Sequence, residues 1–415
     1  MRSRIPLLVT LLASASLIGT SLPAHAADEP VVPVNGTTTF TGHGFGHGRG
    51  MSQYGAQGAA IRGIKAGSIL GFYYPGTTLT TVTGYIKVWL RGDIDADTIV
   101  LPKTGLELAD YGQGKAFKLP TTLGAKAWKL TGSGASSGFK VSYQNNGWHP
   151  YLPGGKALVG YAEFRNGLSY TVTLRTPSGD KSYRGAIQRR NSHTINRTGY
   201  DSYVKGVVAS EMPPTWRLEA LKSQAIAART FGAYSVQDSS GPTDTYNVDD
   251  TTAFQVYGGL SAETTKTNQA VSLTAAKILT YSGAPDNGGP AYTQFSSSNG
   301  GYTVAGATKP YLVAKPDTFE QYSSNPYANW TYAAPQAALQ SKLVALAANS
   351  KYHTALGTLT GLQVVARDGN GQWGGRVTSI RLIGTRSNLP TSVVVDGSDL
   401  RFAIGLRSTW FSLAD

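Results

Sequence analysis

The chain has 415 residues, with 50 Gly, 20 Pro and no Cys, and 15% of residues are charged, against roughly 25% in an average soluble protein. A hydrophobic content of 40% is too high for a disordered chain, and the lack of Cys excludes disulfides, thiolate metal sites, iron–sulfur clusters and a Cys nucleophile. Lys and Arg outnumber Asp and Glu by 37 to 24, a formal charge of +13, which suits an anionic polymer as partner or serves solubility alone.

Residues 1–26 read as a secretory signal. Arg2 and Arg4 precede an apolar run over 5–18, and Pro23-Ala24-His25-Ala26 has the small-x-small pattern of a cleavage site. An uncleaved anchor is the alternative, but the run is short against the ~20 residues that span a bilayer. Membrane contact is therefore expected only through this signal before cleavage. Basic residues are scattered, with Arg189-Arg190 the longest run, and no zinc-finger, helix-turn-helix or RNP pattern occurs. No nucleic acid partner is expected; an exported basic chain suits an anionic cell-wall polymer.

Residues 27–41 form a Pro/Thr/Gly-rich lead, and 42–80 are Gly-rich with clustered His, Tyr and Gln. Short strands are expected over 85–90, 98–101, 116–119, 139–143, 158–164 and 170–174, with Gly, Pro, Asn and Asp between them. That pattern predicts a sandwich or barrel-like sheet. Character changes near Tyr200. The apolar run 204–208 reads as a strand. Leu218, Leu221, Ala225, Ala228 and Gly232 then recur at threes and fours, which predicts a helix over about 216–236 with Thr215 as N-cap. Further helices are expected near 264–275 and 336–348. The tail returns to strands at 361–367, 378–383 and 392–395, then a short helix capped by Ser398. The fold class is β-rich α+β.

Three constellations carry candidate chemistry. In Gly42-His43-Gly44-Phe45-Gly46-His47-Gly48-Arg49-Gly50-Met51-Ser52-Gln53-Tyr54-Gly55-Ala56, alternate glycines permit positive φ and close backbone approach to a ligand. His47 and Gln53 would project from such a loop. The other reading is a tight turn whose His side chains bond backbone. No Gly-Lys-Ser/Thr follows, so a phosphate loop is a weak match, and His43 with His47 lack nearby carboxylates and make a poor metal site. In Ser210-Glu211-Met212-Pro213-Pro214, partial burial of Glu211 would raise its pKa and suit a general acid; a dipole partner at a helix N-terminus is the alternative. Tyr292-Thr293-Gln294-Phe295-Ser296-Ser297-Ser298-Asn299-Gly300-Gly301 can floor a polar cleft or form a polar turn, and lacks the Gly-x-Ser-x-Gly of a serine nucleophile.

Together these pieces resemble the SpoIID/LytB family of bacterial cell-wall proteins. The matching stretches are Tyr183-Arg184-Gly185, the run from Tyr203 through Glu211-Met212-Pro213, and Glu219 to Thr230. Gln255-Val256-Tyr257-Gly258-Gly259, Ser296 to Gly301, Leu400-Arg401 and Gly405 to Phe411 also match. The Gly-His-Gly block, with Ile69 to Thr77, comes first here, whereas the usual family order places it last. A circular permutation accounts for this and predicts that residues 42–80 pack beside the 361–411 strands and reach Glu211. Some relatives hold zinc with Cys and His; here Phe254 precedes Gln255 and Cys is absent, so no metal or other cofactor is expected.

The resemblance implies a mixed domain with a few helices around a cleft plus a β-sheet subdomain. The expected division is 1–26 signal, 27–83 Gly-His-Gly segment completing the core, 84–182 β-rich subdomain and 183–415 core. It implies a peptidoglycan lytic transglycosylase that cleaves the MurNAc–GlcNAc bond, with Glu211 as acid and then base and a 1,6-anhydro product. His47, Gln53, Tyr54, Arg229, Gln255, Tyr257 and Ser297 are the expected substrate-binding residues. Partners are glycan strands and a cell-wall amidase, because some family members are called amidase enhancers; a glycan-binding module without catalysis is the competing class. An ordinary hydrolase would need a second acid such as Asp249 or Asp250.

Overall fold

The computed structural model describes residues 29–134, 138–238 and 245–414; the expected signal, 1–26, lies outside the described residues. Seven α-helices are present among the described residues. They are α1 (Gln53–Ile61), α2 (Ala66–Tyr73), α3 (Tyr200–Glu211), α4 (Leu218–Gln237), α5 (Thr265–Leu273), α6 (Gln336–Ala348) and α7 (Gly397–Ile404). Strands outnumber them, and the fold is β-rich α+β.

Two sheets enclose the larger core. One has seven strands in the order Val248–Asp249, Tyr85–Trp89, His193–Gly199, Ala186–Arg190, Ala162–Asn166, Leu106–Asp110 and Lys115–Lys118. The other has six, Trp148–Tyr151, Lys140–Gln144, Ala127–Thr131, Asp97–Val100, Thr171–Thr176 and Gly179–Arg184. Alternation sends Val88, Leu108, Phe164 and Ile187 from the first sheet and Val100, Leu130, Val172 and Leu174 from the second into one buried cluster. The strands Ala186–Arg190 and His193–Gly199 pair into the sheet that holds Tyr85–Trp89, so a division at 182/183 runs through a single sheet.

Helices α3, α4 and α5 extend the same core through Tyr203, Val207, Leu221, Ala225, Ala228 and Val271. Residues 204–208 are helical, not a strand. Tyr203, Val204, Val207 and Val208 are buried while Lys205 and Ala209 are half-exposed, a one-sided pattern of helical period that outweighs the strand preference of Val. Thr215 does not cap α4. It lies in a turn closed by Trp216 N–H on the Pro213 carbonyl, and α4 starts after Arg217, which makes no side-chain cap bond. Thr264, by contrast, caps α5 through a reciprocal bond with Thr267.

Helices α1 and α2 arise inside the Gly-rich block, where no helix was expected. Glycine lowers helix propensity, yet a Cβ at Gly58 would sit 1.9 Å from the Phe319 carbonyl oxygen. Glycine in α1 is the condition for its close packing against 317–322.

A second core lies under Thr358–Arg367, Val377–Arg386 and Leu389–Asp396, with Val32–Pro33 on the edge. Leu339 and Leu343 of α6 and Leu400 and Ile404 of α7 pack on Leu362, Ile380 and Leu382. Helix α7 follows Asp396 rather than Ser398. The Asp396 carboxylate makes no cap bond and instead takes Lys351 Nζ at 2.5 Å. The strand Thr37–Gly42 runs between Trp330–Pro335 and Phe411–Ala414, antiparallel to both. The Gly-rich block that follows Gly42 thus starts against the last strand of the chain.

Candidate active site

Backbone bonds sew residues 43–52 between two distant segments. On one side His43 N–H donates to the Trp410 carbonyl at 3.0 Å and Gly46 N–H to the Arg407 carbonyl at 2.9 Å. On the other, Phe45 and Ser298 exchange bonds at 2.8 and 3.0 Å, and Met51–Ser52 pairs in parallel with Phe295–Ser296. Such proximity requires glycine: Gly50 has φ +62°, and a Cβ there would lie 2.0 Å from the Gln294 carbonyl oxygen. The start of the expected 42–80 block, Gly42 to Gly46, therefore packs beside the C-terminal segment and Gln53 reaches Glu211, whereas α1 and α2 pack on α4.

The approach is fixed from below by two buried acids. Glu320 accepts bonds from the Ser52 hydroxyl, from Ser298 Oγ at 2.8 Å, from Asn299 N–H at 2.9 Å and from Asn325. Burial, then the nearby Asp317 charge, push its carboxyl up to about 7. Asp317 accepts Tyr73 OH and Asn299 Nδ2, each at 2.7 Å. Ser52 also caps α1 by accepting Gly55 N–H at 3.0 Å, and Gln53 follows it as the first residue of α1.

Glu211 is the last residue of α3, not a residue near a helix N-terminus. Burial raises its carboxyl above the ordinary value of 4.5, opposed by two donors: Val256 N–H to Oε1 at 2.8 Å and Gln53 Nε2 to Oε2 at 3.3 Å. The negative end of α3 acts in the same direction as burial, since it disfavours a carboxylate.

Glu211 opens into a cleft of about 590 Å³. Phe45, Phe254, Tyr292 and Phe402 give it aromatic walls, and His47, Gln53, Ser297 and Arg401 give it polar ones. Among the described residues Glu211 is the only carboxylate lining it. Burial, then the charges of Arg49, Arg376 and Arg401, lower His47 to about 4, so the ring is neutral near pH 7. Its Nδ1 accepts Arg49 N–H at 3.0 Å, and the Phe295 backbone bonds the ring as well.

Four of the expected site residues, Glu211, His47, Gln53 and Ser297, are brought together in this cleft. The other four do not line it. Tyr54 packs edge-on against Trp216 and Tyr327 and donates its N–H to the Ser297 carbonyl at 2.9 Å. Gln255 Oε1 accepts Tyr203 OH at 2.9 Å, and Tyr257 OH donates to Asn196 at 2.7 Å. These two anchors flank Val256 and steady the N–H that meets Glu211. Arg229 is fully buried. It pairs with Asp201 at 2.7 Å and donates to the Lys277 carbonyl at 3.0 Å, tying α4 to α3 and to the strand Lys277–Thr280. A guanidinium so enclosed has no access to a sugar carboxylate.

The remaining candidates have local duties. His43 bonds the Ala328 carbonyl and Gln372 at 2.7 and 2.9 Å and stacks on Trp373. Asp249 accepts Thr251 N–H and Asp250 accepts Arg91 N–H, and neither lines the cleft. Among the described residues no three His, Asp or Glu side chains group as a metal site. Sequence reasoning missed Asp317 and Glu320, which sit in an aperiodic stretch with no motif, and gave Arg401 no role although its motif had been noted.

Fold and site define a β-rich α+β protein whose aromatic cleft presents one raised carboxyl. The SpoIID family model, described as Stage II sporulation protein, matches residues 188–281, which carry α3, Glu211, α4 and α5. The chain is similar to the SpoIID family in this region. It is 43% identical over 154 residues to the amidase enhancer of Bacillus subtilis, covering 36% of this chain and 19% of that one. It is 35% identical over 245 residues to stage II sporulation protein D of Bacillus subtilis, covering 54% of this chain and 63% of the relative. The counterpart from Bacillus amyloliquefaciens is 30% identical over 247 residues, with the same coverage. The chain thus spans less than two thirds of each of these relatives. No helix among the described residues is long and apolar enough to cross a membrane.

Proposed function

We propose that this protein is an exported, cell-wall-associated lytic transglycosylase that cleaves the MurNAc–GlcNAc bond of peptidoglycan glycan, with strands free of stem peptide as one candidate substrate. The observation that carries the reading is the single raised carboxyl of Glu211 in a cleft that no second acid lines among the described residues. A two-carboxylate hydrolase needs its partner acid across the scissile bond, and none of the described residues supplies one to this cleft. One carboxyl suffices when the sugar supplies its own nucleophile.

In the first step the protonated Glu211 donates to the glycosidic oxygen as that bond to C1 breaks and positive charge develops on the MurNAc ring. In the second, the Glu211 carboxylate takes the proton of the same sugar's 6-hydroxyl, whose oxygen bonds C1. The proton returns to Glu211, and no water is consumed. A group that must donate and then accept works best with a pKa between the extremes. Burial raises Glu211, while Val256 N–H and Gln53 favour its ionised form. The aromatic walls suit sugar faces.

A second reading has a specific observation in its favour: the relative sharing 43% identity is named an amidase enhancer. On that reading the cleft holds glycan without cutting it and a partner amidase does the hydrolysis. Product analysis separates the two. Anhydro ends from this protein alone support the transglycosylase; glycan binding without products supports the binding module.

A further inference from the structure

One wall of the cleft carries a cation with no counter-ion among the described residues. Arg401 lies in the last turn of α7 and lines the cleft that holds Glu211. Its Nε donates to the carbonyls of Leu406 and Arg407 at 3.2 and 3.1 Å. Among the described residues neither terminal nitrogen has a protein hydrogen-bond partner, and no carboxylate pairs with it. Its charged neighbours are of like sign: Arg376 feels its charge, as does His47. Arg376 itself is buried and donates to the Asn299 carbonyl at 2.8 Å.

The structural contacts of Arg401 are the Nε–H bond that closes the end of α7 and the Phe402 ring, 4.9 Å from its guanidinium carbon, and they leave the terminal N–H groups without a hydrogen-bond acceptor among the described residues. Burying part of a guanidinium without an anion is costly, and placing it near a second buried arginine adds to the cost. A tethered Nε leaves the terminal edge of the guanidinium for bidentate binding of a planar anion. His47, being neutral, adds no competing charge.

We propose that Arg401 forms a carboxylate-binding subsite in the Glu211 cleft, taking an anionic group carried by the glycan. This rests on reading the cleft as a glycan site. Two parts of the polymer supply that chemistry. One is the lactyl carboxylate of MurNAc, free only where the stem peptide has been removed. The other is the carboxylates of the stem peptide itself, where the lactyl group is an amide. An uncharged chitin oligomer has neither.

The test is calorimetric binding to the Glu211→Gln protein, which separates recognition from turnover. The probes are glycan strands stripped by an amidase, the same strands after methyl esterification, peptide-bearing strands with and without esterification, and a chitin oligomer. Stripped strands should bind about tenfold more tightly than their esters, the size of one charge-assisted pair. Arg401→Gln should erase that gap. Arg401→Lys, which keeps the charge but loses the fork, should recover part of it. A gap confined to peptide-bearing strands would assign the same subsite to the peptide carboxylate. Equal binding of acid and ester, or a gap that survives Arg401→Gln, overturns the subsite while leaving the glycan reading intact. Failure to bind any glycan overturns both. The esters alter the ligand rather than the protein, so the result stands even if the variants fold poorly.

Discussion

Gln53 and Glu211, 158 residues apart in sequence, meet side chain to side chain at 3.3 Å. The contact joins the Gly-rich block to the end of α3, and Gln53 is one of two donors that favour the ionised carboxyl. In the proposed mechanism Glu211 acts first as an acid, so turnover should fall as pH rises through its pKa. Gln53→Ala removes a bond to the carboxylate form, raises that pKa further and should move the alkaline limb of kcat/KM to higher pH. A limb that stays put or moves to lower pH would contradict the role given to Gln53.

Arg229 holds helices, not substrate. Arg229→Met removes a buried guanidinium and its bonds to Asp201 and the Lys277 carbonyl; Asp201, 42% exposed, can be rehydrated, so stability should fall by about 1–3 kcal/mol. Denaturant unfolding measures the loss. Activity per folded molecule should be unchanged, whereas a substrate-binding role would raise KM in protein that melts normally.

Glu320 should make stability depend on pH. Its folded pKa, about 7, lies above the ordinary 4.5, so the folded state holds the proton more tightly than the unfolded chain. Its contribution is full below about 4.5 and is lost as pH rises through 7. The loss is at most about 3 kcal/mol. Thermal melts across this window should show Tm falling with pH, and Glu320→Gln should flatten the slope. An unchanged slope in the variant would reject the assignment.

Gly50→Ala should be among the costliest single-methyl additions. It places a Cβ 2.0 Å from a backbone oxygen at φ +62°, and such sites lose more than about 1 kcal/mol. Melting measures the effect; a neutral result would mean that the Gly-rich block does not sit against Gln294 as described.

Legibility followed the physics of each segment. Helix α6 spans the expected 336–348 because its apolar spacing is unambiguous and its ends are marked. The strand assignment for 204–208 failed because β-branched residues on one helical face look locally like a strand. Helices α1 and α2 were hidden by glycines that lower propensity and are explained only by neighbours distant in sequence. Within the site, Glu211 and Gln53 were readable as polar residues in motifs. Tyr54, Arg229, Gln255 and Tyr257 sit in motifs too, but their work is to brace the site. Motif membership does not separate a residue facing the cleft from one facing the core; burial and bond partners do. Asp317 and Glu320 gave no local signal because their partners, Ser52, Tyr73 and Asn299, come from remote parts of the chain.

The most direct measurement is mass spectrometry of amidase-treated peptidoglycan after digestion with the wild-type protein and with Glu211→Gln. The account predicts 1,6-anhydroMurNAc ends, each lighter by one water than a reducing end, from wild type and none from the variant. Reducing ends from wild type, or anhydro ends from both proteins, would contradict a single-carboxyl transglycosylase centred on Glu211.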